Sequence, residues 1–333
     1  MLAGGPRGGP PGEGGEQTMR IGYSLNSEEY APADLIRQAE LAEEAGFASL
    51  WIADHYHPWT GAQGQSPFVW SMIGALSRTL TIPIMTGVTC PIIRMHPAIL
   101  AQAAATTAVL TGGRFIFGVG TGEALNEHII GEKWPEARRR LAMLEEAIEI
   151  MRELWSGRVV THHGAHYTVE HARLYTIPQQ PIPVYVSGLG RTATELAARV
   201  GDGYVSTKPD PHGVARFRKD GGGSKPAVAG TKACWAPTRD EARQLAHRLW
   251  ASDSLPGELA QVLPTPEHFE QASQLVTPDM LMMAYGPDLE PHLAMVESYR
   301  KAGYDTLHVG AVGPHYEEMI RLYRDEIIPR FRE

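Results

Sequence analysis

The chain has 333 residues, 43% hydrophobic and 20% charged, enough to bury one large core of the size that α/β barrels reach. A formal net charge of −8 leaves no evident basic face for nucleic acid, and no apolar run approaches the roughly 18 residues a membrane helix needs. Two distant cysteines, Cys90 and Cys234, without a CxxC pair exclude a disulfide scaffold and fit a reducing cytoplasm.

Residues 1–18 hold seven Gly and three Pro and no apolar signal core, so they read as a disordered extension, with folding expected from Met19. Arg20–Leu25 reads as a strand. Residues 33–45 carry apolar side chains at 35, 36, 39 and 42, a helical stripe that Gly46 would cap. Strands are expected at 49–54, 82–89 and 114–120, and helices at 67–76, 97–110 and 138–155. Residues 159–175 alternate like a hairpin with Gly164 near its turn. Strands five to seven fall at 183–187, 204–207 and 233–236, with a helix over 192–200. Residues 216–230, basic and Gly-rich, read as a loop; Gly221-Gly222-Gly223-Ser224-Lys225 lacks the Walker spacing. The eighth strand is expected at 306–311 and a last helix at 315–328.

A weak internal echo ties the two ends together. Glu44-Ala45-Gly46-Phe47-Ala48-Ser49-Leu50 and Lys301-Ala302-Gly303-Tyr304-Asp305-Thr306-Leu307 both read as helix end, Gly cap, aromatic and strand. Eight strand–helix units predict a (β/α)8 TIM barrel in one domain, residues 19–333. The competing doubly wound sheet lacks its GxGxxG fingerprint, because in Gly118-Val119-Gly120-Thr121-Gly122-Glu123 the third Gly comes too early.

Chemistry gathers at two strand ends. After Phe115-Ile116-Phe117, the run Gly118–Glu127 lets a flat ligand approach the backbone and sets Glu123 beside it. Ile52-Ala53-Asp54-His55-Tyr56-His57-Pro58-Trp59 ends a second strand in an acid and an imidazole, with an aromatic beyond. Both belong at one rim of a parallel barrel. His162, His163 and His166 sit on the hairpin without a Cys or acid partner, so they read as solvated rather than metal-binding; no metal is expected. Ser187-Gly188-Leu189-Gly190 opens the helix at 192–200, whose first N–H groups are free to meet an anion.

These pieces together resemble the bacterial luciferase-like superfamily and, within it, the coenzyme F420-dependent dehydrogenases. The matching residues are Ile21-Gly22-Tyr23, Glu28, Asp54-His55, Pro58-Trp59, 86–91 with Arg94 and Pro97-Ala98-Ile99, the run 118–127, and Gly201-Asp202-Gly203-Tyr204. The resemblance implies a TIM barrel with an inserted segment before the last strand, commonly a homodimer, that passes a hydride from an alcohol carbon to a deazaflavin. It implies that His55 takes the alcohol proton, Trp59 shapes the pocket, Glu123 donates a proton near the ring, and Glu28 joins the catalytic set. Asp54 would hold the cofactor's hydroxylated chain or orient its neighbour. Gly87 and Val88 match the place of a non-prolyl cis peptide behind the ring. Thr121, Gly122, Asn126, Ser187, Gly188, Leu189, Gly190 and Thr207 complete the expected cofactor contacts.

The resemblance also bears on the substrate. Phosphate-using relatives hold the phosphate with three cations, one after strand six and two in the insertion. Residues 249–299 here contain no Lys or Arg but eight acids, and Ala260 and Ala284 fall where those two cations would stand. Lys208 alone remains as an anchor. Trp235 and Trp250 match aromatic positions of secondary-alcohol relatives, although core packing explains Trp250 equally well. A neutral, unphosphorylated alcohol is therefore the expected substrate, against a sugar phosphate. The other readings are an FMN-dependent monooxygenase of the same superfamily and a non-catalytic binding barrel.

Overall fold

The computed structural model of the protein describes residues 18–331, so the expected N-terminal extension lies, apart from Thr18, outside the described residues. The strands in chain order are β1 (Arg20–Leu25), β2 (Leu50–Ile52), β3 (Ile84–Thr86), β4 (Phe115–Val119), β5 (Val160–His163), β6 (Thr168–Ala172), β7 (Val184–Ser187), β8 (Gly203–Ser206), β9 (Ala227–Cys234), β10 (Ala284–Tyr285) and β11 (Thr306–Val312). β1, β2, β3, β4, β7, β8, β9 and β11 pair in parallel in that order. β11 returns to β1 and closes an eight-stranded barrel. The expected TIM barrel is what forms.

Alternation along each strand sorts its side chains. Ile21, Tyr23 and Leu25 of β1 point outward into the apolar layer beneath the helices, with Leu35 and Ala39 of the helix Pro32–Glu44. The barrel interior holds a smaller cluster, Trp51, Met85, Val205 and Val228. Trp51 fills much of that space, and glycines make room for it. A Cβ on Gly87 would fall inside the indole, and one on Gly230 would stand 3.0 Å from Cη2. The two echoed glycines, Gly46 and Gly303, adopt φ of 85° and 94°, the left-handed conformation expected of helix C-caps.

The hairpin forms as expected, from β5 and β6. It is held to the barrel by Tyr167, whose hydroxyl donates to the Ile92 carbonyl at 2.8 Å. Three expectations need correction. β9 begins at Ala227, not 233, so the end of the expected loop 216–230 is strand, and its start, through Gly222, is helical. Asp305 anchors that start by accepting from Ala227 N at 2.7 Å while pairing with Arg218 at 3.2 Å. β10 is an unexpected two-residue strand beside β9. The last helix divides, running Tyr316–Leu322, then a π turn, then Ile328–Phe331.

The insertion before the last barrel strand spans 251–283 and carries the helices Leu259–Val262 and Pro266–Ser273. It reaches the loop after β2, where Phe269 meets Trp59 edge-on at 5.1 Å and Glu270 accepts from Gly61 N at 2.8 Å. No helix among the described residues is long and apolar enough to cross a membrane.

Candidate active site

Apart from Trp250, which ends the helix Arg239–Trp250, the expected site residues lie at the C-terminal ends of barrel strands or in the segments that follow them, the rim where such barrels present their variable loops. Glu28 follows β1 and His55 follows β2. The two meet: His55 Nδ1 stands 3.0 Å from Glu28 Oε1, both largely buried. Burial pushes the imidazole pKa down. The Glu28 carboxylate more than offsets it, with Glu123 adding a smaller push, so the net shift is upward. Burial acts the other way on Glu28, yet the charge and hydrogen bond of His55, then Lys232, hold its carboxyl below the ordinary range. Trp59 closes over this pair, its ring edge-on to His55 at 5.0 Å. Glu28 orients one imidazole nitrogen, which leaves Nε2 for a substrate.

Asp54, beside His55, is fully engaged by protein. Thr89 donates to Oδ2 at 2.8 Å, and Arg94 Nη2 donates to Oδ1 at 2.8 Å and to the Asp54 carbonyl at 3.0 Å. These contacts fix the orientation of its carboxylate beside His55. Arg94 also faces Glu127: its backbone N–H donates to Oε2 at 2.8 Å and its Nε lies 3.4 Å from Oε1. Burial raises the Glu127 carboxyl to about 7, although Arg94 opposes that rise.

The glycine run beyond β4 does the packing its composition predicts. A Cβ on Gly118 would overlap the Thr86 carbonyl, and one on Gly120 would stand 2.8 Å from Val88 Cγ2 and 3.4 Å from Ser187 Cβ. Gly120 thus lets Val88 and Ser187 approach from either side. The Gly87–Val88 peptide is cis, at the place the resemblance marked. Thr121 is half-buried, and Gly122 turns with φ of 66° into Glu123, which caps the short helix Ala124–Glu127. Asn126 Oδ1 accepts from Tyr56 N at 2.8 Å and His57 N at 3.0 Å, fixing the loop that carries His55. Its Nδ2 is buried without a partner among the described residues.

Across the rim, Gly188 donates to the Val205 carbonyl at 3.1 Å, and its own carbonyl accepts from Tyr204 at 2.7 Å. Leu189 is exposed and Gly190 has open space on its Cβ side, at the start of the helix Arg191–Val200. Thr207 and Lys208 are exposed, with their carbonyls held at 2.9 Å by the hydroxyls of Tyr299 and Tyr304. An orphaned amide, a glycine run and a helix N-terminus therefore lie at one rim of the barrel. That set fits a flat ring with a phosphate-bearing tail.

Trp235 is half-buried beyond β9, edge-on to His315 at 5.6 Å. Trp250 is not a pocket wall. Its side chain is fully buried and its Nε1 donates to Glu29 Oε2 at 2.7 Å, so the packing alternative is correct for it. Two site residues escaped the sequence reading. Gln63 accepts from Trp59 N at 2.8 Å and donates to the Leu249 carbonyl at 2.9 Å, joining the β2 loop to the insertion. Lys232, on β9, reaches the same region, so Lys208 is not the sole cation there. Its signal was alternation with Val228 and Gly230, hidden once β9 was started too late.

Comparisons with known proteins place the chain among relatives of the same fold. The family model described as luciferase-like monooxygenase matches residues 17–306. An F420-dependent glucose-6-phosphate dehydrogenase of Microbacterium testaceum (strain StLB037) is 34% identical over 330 residues, covering 95% of this chain and 98% of its own length. A solved F420-dependent secondary alcohol dehydrogenase in complex with an F420-acetone adduct superposes with a TM-score of 0.88 at 31% identity, over 95% of this chain and 100% of that one. A coenzyme F420 dependent tetrahydromethanopterin reductase from Methanopyrus kandleri shares the fold, with a TM-score of 0.76 at 21% identity, covering 95% of this chain and 100% of that one.

Proposed function

The chain belongs to the luciferase-like monooxygenase family, and from that premise we propose that it is a coenzyme F420-dependent dehydrogenase whose substrate is a neutral, unphosphorylated alcohol. The single observation that carries the reading is the Glu28–His55 pair under Trp59, with Glu123 beyond β4 at the same rim. The two named relatives above 30% identity agree on F420 and divide between a sugar phosphate and a secondary alcohol. The cation-free stretch 249–299 favours the alcohol, since a buried phosphate dianion calls for guanidinium or ammonium partners.

Bound F420 supplies a ring carbon that accepts a hydride. The chain's own residues would do the rest. Asn126, Gly87, Val88, Thr121 and Gly122 would hold the ring, and Ser187–Gly190 with Thr207 would hold the phosphodiester. His55 Nε2 would take the alcohol proton, and Glu28 would steady the imidazolium that results. Glu123 would supply a proton on the ring side. Trp59 and Phe269 would exclude water from the reacting carbon. A homodimer is proposed as well, supported by Ile99, Val109 and Leu110, which the helix Pro97–Leu110 leaves exposed.

The pH profile tests the Glu28–His55 pairing. His55 must be neutral to accept a proton, so alcohol oxidation rises as pH climbs through its pKa, which Glu28 holds above the ordinary value. In Glu28→Gln, burial is left as the main influence, so the acid limb of kcat/KM should move to lower pH. Its plateau should fall by about tenfold or more as the imidazole loses its orientation. An unmoved limb would refute the pairing.

The substrate reading is tested by steady-state kinetics on glucose 6-phosphate, isopropanol, cyclohexanol and free sugars. A neutral alcohol should give the highest kcat/KM. A glucose 6-phosphate value about tenfold above every neutral compound, or more, would overturn the reading.

A further inference from the structure

On β9, Val228, Gly230 and Lys232 share one face, because strand residues alternate. Val228 packs inside the barrel with Trp51, and Gly230 lies against the same indole. Lys232 therefore projects inward one layer higher, toward the rim that carries Glu28, His55 and Trp59. There its Nζ stands 4.0 Å from the Trp250 ring centre and 2.7 Å from Asp253 Oδ2. Both partners are fixed to the cleft. Trp250 donates to Glu29, the neighbour of Glu28, and Gln63 ties Leu249 to the Trp59 backbone. The Lys232 charge is felt at Glu28 itself.

A lone ammonium at this place would attract an anionic group of a substrate. Asp253 prevents it. An anion reaching Lys232 must displace the carboxylate or lie beside it, and like charges that close repel strongly where water is partly excluded. We propose that the Lys232–Asp253 ion pair is the charge filter of the substrate cleft, Asp253 acting as a built-in counter-ion that keeps phosphate- and carboxylate-bearing substrates out. The inference rests on the neutral-alcohol reading and assigns its cause to one residue.

The test is glucose 6-phosphate binding, titrated calorimetrically into the full chain carrying reduced F420, so that no turnover intervenes. Asp253→Asn should tighten Kd by about tenfold or more over the wild type. Asp253→Asn with Lys232→Met should lose that gain and return to within about threefold of the wild type. An Asp253→Asn protein of unchanged melting temperature with Kd within about threefold of the wild type would overturn the inference, as would a gain that survives in the double variant. Asp253→Ser replaces the Asn variant should that one fail to fold. The substrate reading is judged separately, on the wild type alone: preference for glucose 6-phosphate over neutral alcohols refutes that reading, whereas the ion pair is judged by the variant-to-wild-type ratio.

Discussion

His55→Ala and Glu123→Gln should each lower kcat by about 100- to 10,000-fold while leaving the fold and most cofactor affinity in place. The first removes the group placed to receive the alcohol proton. The second keeps shape and polarity at the end of β4 but removes a transferable proton. Neither side chain carries much of the fold. His55 is largely buried, but its ion pair is local to the rim; Glu123 caps a four-residue helix without a side-chain bond to it. Single-turnover rates with F420, set beside melting temperatures, separate chemistry from stability. Turnover within about threefold of the parent in both variants would show that the roles are wrongly assigned.

Arg94→Met should destabilise the protein by about 3–5 kcal/mol, because it strips the counter-ion from two buried carboxylates. Asp54 and Glu127 are both buried, and Arg94 bonds to the first and faces the second. Burial already lifts Glu127 to about 7 with Arg94 opposing. Without Arg94 that pKa rises further. An acid with a raised folded-state pKa stabilises the folded chain while protonated and loses that contribution as pH rises. The deficit of Arg94→Met against the wild type should therefore grow as pH rises above about 7, where the wild-type Glu127 ionises and the variant's does not, in denaturant titrations. A deficit below about 1 kcal/mol, or one that shrinks as pH rises, would contradict the account.

Much of this site is legible in the sequence, for identifiable reasons. Arg20–Leu25 and Pro97–Leu110 were expected with the bounds they have, the helix because Pro97 starts it and an apolar run continues it. The run 118–127 speaks for itself, since close backbone packing leaves glycine no substitute there. What stayed hidden depends on partners far away in the chain. Gln63 meets Leu249 and Trp250 meets Glu29 across the barrel, which no local pattern encodes. Trp250 looked like a pocket wall because tryptophans line pockets and cores alike; the Glu29 carboxylate that satisfies its N–H decides for the core. Asp54 likewise meets Arg94 and Thr89, residues beyond β3 that its own loop does not announce. The start of β9 was lost because Ala227-Val228-Ala229-Gly230 is built of small residues behind a glycine-rich turn, a weak strand signal.

The central claim is that this rim passes a hydride from an alcohol to a deazaflavin, and anaerobic mixing of the protein with oxidised F420 and isopropanol tests it most directly. The account predicts bleaching of the deazaflavin absorbance that depends on alcohol and enzyme and is lost in His55→Ala. Absence of bleaching with every alcohol and sugar tried, together with tight FMN binding and oxygen consumption, would contradict it and assign the barrel to oxygenation instead.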